Sequence, residues 1–257
     1  MTKGSTVIWE GRSQLDHSSP VVAVVTGLAK ASDNPKTGRM AQLWILRADK
    51  NPLAALQDRS DDAICGDCKL RGDSTKTRSC YVSVRQAPYQ VFNAYDRGSY
   101  DRSTPTEVNR LLRDKGLSIR LGAYGDPVAL PLHVLQDLTA DVRHTGYTHQ
   151  WRQSAEYIPY LMASVDDAAE YAAAKHMGWR TFRCRTVEEK LFYREIVCPA
   201  SDEAGHRTTC ERCLLCDGKN FSTAIKNQNH MLDRRSDISI IVHGTLKAQF
   251  VKLTRRV

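Results

Sequence analysis

Seven cysteines of this chain stand at spacings that suit metal ligation. Cys65 and Cys68 form a C-x2-C pair, and after eleven intervening residues Cys80 follows with Tyr81 beside it. Cys198, Cys210, Cys213 and Cys216 form a second knot, C-x11-C-x2-C-x2-C. Two intervening residues let a tight turn aim both thiolates at one centre, and the softness of sulfur selects zinc or iron–sulfur clusters. Eight cysteines in all would also allow four disulfides. Disulfide frameworks, however, mark small secreted domains, and this chain is large and shows no apolar leader-like stretch at its start.

The two knots differ in ligand count. A structural zinc site normally closes with four protein ligands, whereas a four-iron cluster held by three thiolates keeps one iron free for a substrate or cofactor. A histidine is the other way to complete the first knot, and His144, His149, His206 and His243 are the candidates. The second knot has four cysteines of its own. Three of them at consecutive threes favour an auxiliary iron–sulfur cluster over zinc, which usually takes two separate C-x2-C pairs. Cys184, alone on a predicted strand, reads as a small core residue.

The elements that must position these thiols follow from pattern. Val21–Leu28 and Gln42–Leu46 are apolar and rich in strand formers, joined by the turn-rich loop Ser32–Arg39, and predict a hairpin. Asn51-Pro52 opens a short helix. After Cys80 the pattern predicts a helix over Val82–Asn93 in which Pro88 is awkward. Thr104, Pro105 and Glu107 have the spacing of a capping box with Pro at the first helical position, and that helix should stop at Gly116. Strands are expected at Leu117–Leu121, Thr145–Trp151, Tyr157–Val165, Trp179–Arg185, Glu195–Cys198 and Ile238–His243. Helices are expected at Leu130–Val142 and Ala168–His176, the latter preceded by Asp166 and Asp167 and closed by Gly178. Strands alternating with helices predict an α/β fold, with a mostly parallel sheet either open or closed into a barrel. Asp217–Arg235 reads as a polar loop and Lys252–Arg256 as a basic, solvated tail.

A cysteine triad early in the chain, an aromatic residue after the last cysteine, then a helix and a strand ending in a glycine–acid–proline turn together resemble the radical SAM enzymes. More narrowly, the chain is similar to the three-cysteine radical-SAM-like proteins often encoded by bacteriophages. The resemblance covers about residues 60 to 185. It implies a full or partial (β/α) barrel over 61–257, with a β-rich segment at 1–60 and a cysteine-rich insertion toward the C-terminal end. It implies a 4Fe-4S cluster on Cys65, Cys68 and Cys80, with Tyr81 packed beside it and S-adenosylmethionine on the free iron. Gly125, Asp126 and Pro127 would stand where the family has Gly-Gly-Glu-Pro and helps hold the methionine amino group. The family's usual triad is C-x3-C-x2-C; here it is C-x2-C-x11-C, and Asp126 and Tyr124 replace the expected glutamate and glycine. Asp126 before Pro127 also has the pattern of a helix N-cap.

Composition sets the remaining bounds. With 41% hydrophobic residues the chain can bury a sizeable core, and no apolar run reaches the roughly eighteen residues of a membrane span. A soluble, cytoplasmic protein is expected, in the host cytoplasm for a phage-encoded one. The net charge of +8, from 37 Lys and Arg against 29 Asp and Glu, suits a nucleic acid or nucleotide partner and equally a plain basic surface. The leading expectation is thus an iron–sulfur enzyme of radical-SAM type. Its rivals are a zinc-stabilised nucleic-acid-binding protein without catalysis and a barrel whose clusters are structural or redox-sensing.

Overall fold

The computed structural model describes residues 4–30, 34–72, 78–218, 236–242 and 247–254. The chain opens with β1 (Ser5–Arg12), β2 (Pro20–Thr26) and β3 (Ala41–Arg47). There follow α1 (Pro52–Gln57), α2 (Asp62–Cys65), α3 (Ala87–Asp96), β4 (Asp101–Arg102), α4 (Pro105–Asp114) and β5 (Ile119–Tyr124). Next come α5 (Leu132–Thr139), β6 (His144–Thr145), β7 (Tyr147–Thr148), β8 (Met162–Val165) and α6 (Ala168–His176). The last described elements are β9 (Thr181–Arg185), β10 (Glu195–Val197), α7 (Cys210–Cys213), β11 (Asp237–Ile241) and α8 (Lys247–Thr254).

These strands make two sheets, ordered β4-β1-β2-β3-β5-β6 and β10-β11-β9-β8-β7. The expected hairpin is β2–β3, antiparallel, and β1 extends it by pairing antiparallel with β2. From β3 onward every neighbour is parallel: β3 with β5, β5 with β6, and each pair of the second sheet. The fold is therefore mixed α/β with mostly parallel pairing, as strands separated by helices require. No closed barrel forms among the described residues. Residues 144–148 carry the chain from one sheet to the other. Between β6 and β7, the N–H of Gly146 donates to the carbonyl of Cys216 (2.9 Å), and its carbonyl accepts from Met162 (3.0 Å). A Cβ there would lie 2.6 Å from the Leu161 side chain, so only glycine lets the crossing pass so close.

Local chemistry explains most element ends. Asn51 caps α1 by accepting from the N–H groups of Leu53 and Ala54. Thr104 and Glu107 form the complete capping box of α4, and Asp167 caps α6 by accepting from Glu170. Three expectations need correction. The helix expected from Val82 begins at Ala87, which puts Pro88 in the first turn, where a missing N–H costs nothing. The strand expected over Thr145–Trp151 is split into two-residue pieces by the crossing at Gly146. The strand expected from Tyr157 begins at Met162, because Ala155–Tyr157 close into a 3-10 turn. Of the expected polar loop, 219–235 lie outside the described residues, as do His243 and the last three residues of the chain.

The main core runs through both sheets and the helices that cover them, from Val22, Val24, Leu43 and Ile45 to Leu112, Leu135, Ala163 and Trp179. A second, smaller cluster gathers Met162, Cys198, Cys216, Ile238 and Ile240, with Tyr147, Phe182, Cys184 and Cys210 against it. Strand alternation separates two faces of β9: Phe182 and Cys184 join this cluster, while Thr181, Arg183 and Arg185 point the other way. On that other face the ions are paired. The Arg183 guanidinium donates twice to Glu195 (2.8 and 2.9 Å), both side chains being fully buried, and lies over the Phe192 ring. Removing one partner of such a pair strands a charge in low dielectric. Glu195→Ala is therefore expected to lower unfolding stability by about 3–5 kcal/mol. An unchanged denaturation midpoint would show that the pair does not hold β9 against β10.

Candidate metal centres

The first knot sits just beyond the C-terminal ends of the parallel strands. α2 ends in Cys65, and the N–H of Cys68 donates to the Cys65 carbonyl (3.3 Å). The long gap to Cys80 closes at its base: the carbonyl of Leu70 accepts from both Ser79 (2.9 Å) and Cys80 (2.8 Å). Cys80 is thus returned to within two residues' reach of Cys68, despite the eleven between them. The Arg78 guanidinium holds that return by donating to the carbonyls of Cys80 (3.1 Å) and Val82 (2.8 Å). On the other side, Lys69 pairs with Glu170 (2.6 Å) and Arg71 with Asp61 (2.6 Å).

The turn after β5 fastens this loop to the strands. The N–H of Asp126 donates to the Ile64 carbonyl (2.6 Å). One carboxylate oxygen of Asp126 accepts from Val128 (3.0 Å), the N-cap bond expected from the sequence. The other accepts from the Thr148 hydroxyl (3.1 Å) and the His149 N–H (2.9 Å). Gln150 then donates to the Cys65 carbonyl (3.2 Å). Gly125, at φ +80°, passes 2.6 Å from the carbonyl of Ile45 at the position a Cβ would take, and Pro127 starts the 3-10 turn that follows. Burial pushes the Asp126 carboxyl up, against the hydrogen bonds that favour its charge.

Of the four candidate histidines, the structure brings His149 to the knot. Burial alone would lower its imidazolium, but the Cys68 thiol beside it, with Asp166 and Asp126, raises it to about 10. Its Nε2 is buried and has no hydrogen-bond partner, and neither has Oδ2 of the nearby Asp166. His144 is occupied in the core, its ring nitrogens meeting the carbonyls of Val142 and Tyr160. His206 is surface-exposed and pairs with Asp202.

The second knot lies on the inner face of the second sheet. Cys198 follows β10, and its N–H donates to Ser239 of β11 (2.8 Å). Cys210 and Cys213 begin and end α7, and Leu214 in the left-handed region (φ 51°) turns the chain back toward Cys216. The loop that precedes β3 packs on this knot: Cys210 donates to the Lys36 carbonyl (2.8 Å) and Glu211 to that of Thr37 (3.0 Å). Cys198, Cys210 and Cys216 share the small cluster that also receives Cys184. Cys184 is a half-buried inner-face residue rather than part of the main core.

The chemistry of the donor sets fits a cationic metal core. Burial raises the Cys65 thiol well above its ordinary range, and Cys68, Asp61 and Cys80 add to the shift. Burial likewise raises Cys80, Cys198, Cys210 and Cys216, with neighbouring thiols of the same knot contributing at each. Soft donors that repel one another when ionised are what bound metal relieves, with release of protons. Among the described residues no group of three or more His, Cys, Asp or Glu side chains closes on a single ion. The chain matches no protein-family model, no curated protein and no solved structure.

Sequence reasoning anticipated the Asp126 cap, but not the Arg120–Tyr81 contact or the approach of Lys36. The Arg120 guanidinium donates to the Tyr81 hydroxyl, so the aromatic after Cys80 is tied to β5. Asp126→Asn turns an acceptor facing the Thr148 and His149 donors into a donor. It should lower stability by about 1–3 kcal/mol in denaturant unfolding. A neutral substitution would mean that the carboxylate does not join the strand ends.

Proposed function

We propose that the protein is an iron–sulfur enzyme of radical-SAM type. In this reading Cys65, Cys68 and Cys80 hold a 4Fe-4S cluster, and Cys198, Cys210, Cys213 and Cys216 hold a second. The observation that carries it is the closure at Leu70, which makes one three-thiol neighbourhood out of a C-x2-C-x11-C spacing. The two mostly parallel sheets would be the walls of a partial (β/α) barrel, with the site at strand C-terminal ends as such folds require.

A cluster held by these cysteines would supply one-electron chemistry toward S-adenosylmethionine, given an external reductant. The chain's own residues do the rest. Arg78 and Lys69 hold the cysteine loop in place. The turn at Gly125, Asp126 and Pro127 offers a ligand chiefly its backbone, since the Asp126 carboxylate already accepts three hydrogen bonds. Tyr81, next to Cys80, is tied to β5 through Arg120. The net charge of +8 supports a nucleic acid or nucleotide as substrate.

Protein purified without oxygen should be brown and contain about eight irons with matching sulfide. Cys80→Ala should reduce that to about four and abolish reductant-dependent cleavage of S-adenosylmethionine. A colourless protein with one or two zincs would overturn the proposal in favour of a zinc-stabilised binding protein.

A further inference from the structure

We infer that Arg120 is an anion-recognition residue, placed to bind a carboxylate or phosphate group of a small ligand beside Tyr81, between the two cysteine knots. The argument starts from its partners. Arg180 and Arg183, the fully buried arginines, are each neutralised by a carboxylate, Asp217 and Glu195 respectively. Arg120 is not. Among the described residues its guanidinium makes one hydrogen bond, to the neutral Tyr81 hydroxyl, and no ion pair. A half-buried guanidinium with no carboxylate beside it leaves its charge for a ligand to match.

Its position gives the ligand's place. Ile119 and Leu121 turn into the main core, so Arg120 between them faces the opposite side of β5. There its charge is felt by Tyr81, Tyr147 and Cys210, and so it stands between the first knot's aromatic neighbour and the second knot. It is half-buried, and its remaining N–H groups are not among the sealed, unpartnered atoms. Lys36 adds a second cation, near enough for its charge to act on Cys184, Cys198 and Cys210, and likewise without an ion pair among the described residues. Tyr147 stacked on Phe182, with ring centroids 4.2 Å apart, lines the same side. A planar fork with free donors beside a second cation is suited to a bidentate oxyanion.

That this place is an active site rests on the proposed function; the anion site itself does not. The test is calorimetric titration of anaerobically purified protein with AMP against adenosine, and with S-adenosylmethionine against its decarboxylated form. The first pair reads a phosphate and the second a carboxylate. In the wild type at least one member carrying the phosphate or carboxylate should bind more tightly than its partner lacking it. Arg120→Gln should weaken that member by about tenfold or more and leave the partner lacking the group unaffected, with Arg120→Lys intermediate. Tyr81→Phe, which removes the hydrogen bond orienting the guanidinium, should give a smaller loss of the same kind. Iron content and visible spectrum should be unchanged in all three. The inference is overturned if neither pair discriminates in the wild type or if discrimination survives Arg120→Gln. It is also overturned if the variant loses iron while keeping its affinity, since Arg120 would then serve only as counter-charge to the second knot. Arg120-dependent binding by a protein free of iron would sink the proposed function and leave the anion site standing.

Discussion

The candidate site depends on a single buried carboxylate. Asp126 reaches three pieces of chain that are distant in sequence: its N–H meets the helix that ends in Cys65, one oxygen starts the turn after β5, and the other gathers Thr148 and His149 at the end of β7. Each donor it satisfies would otherwise be a buried, unpaired N–H or O–H, at about 1–3 kcal/mol apiece. The joint therefore does two things at once. It closes the end of the first sheet against the start of the second, and it fixes His149 against Cys68. A glutamate's longer reach would not fit the short cap to Val128, a physical reason for the aspartate at this turn.

The sheets divide their charges by face. Behind β9 and β11, Arg183, Lys175 and Arg180 are matched by Glu195, Asp237 and Asp217, and the Asp237 carboxylate also accepts the Thr181 N–H (2.8 Å). Such pairs favour a unique register over raw stability. On the inner face the groups are left open: thiols raised by burial, Arg120 and Lys36. The rigid outer network lets the inner face hold groups that a stable fold would otherwise neutralise, the arrangement expected where chemistry rather than packing selects the residues.

Much of this was legible in the sequence because the signals were local. Caps at Asn51, Thr104 and Asp167, the hairpin of β2 and β3 and the Ala-rich α6 all rest on neighbours within four residues. The misplaced starts at Val82 and Tyr157 came from apolar runs that tertiary context trimmed, and β1 went unseen because its alternation begins in a polar stretch. The spacing of the cysteines is plain in the sequence, but the residues that pack against them are not. Lys36 lies in a turn-rich loop, and nothing in that loop points to Cys210, 174 residues later in the chain. His149 could not be told from His144 until one was seen buried among carbonyls and the other beside a thiol.

The unusual triad spacing is better judged by energy than by pattern. Lengthening a ligand loop from two residues to eleven raises its closure cost by about 1.5 kcal/mol, since that cost grows only with the logarithm of length. Metal binding at a cysteine site contributes on the order of 10 kcal/mol, so the longer loop is easily accommodated. Two hydrogen bonds to the Leu70 carbonyl and the Arg78 clamp offset part of even that small term before any ligand arrives.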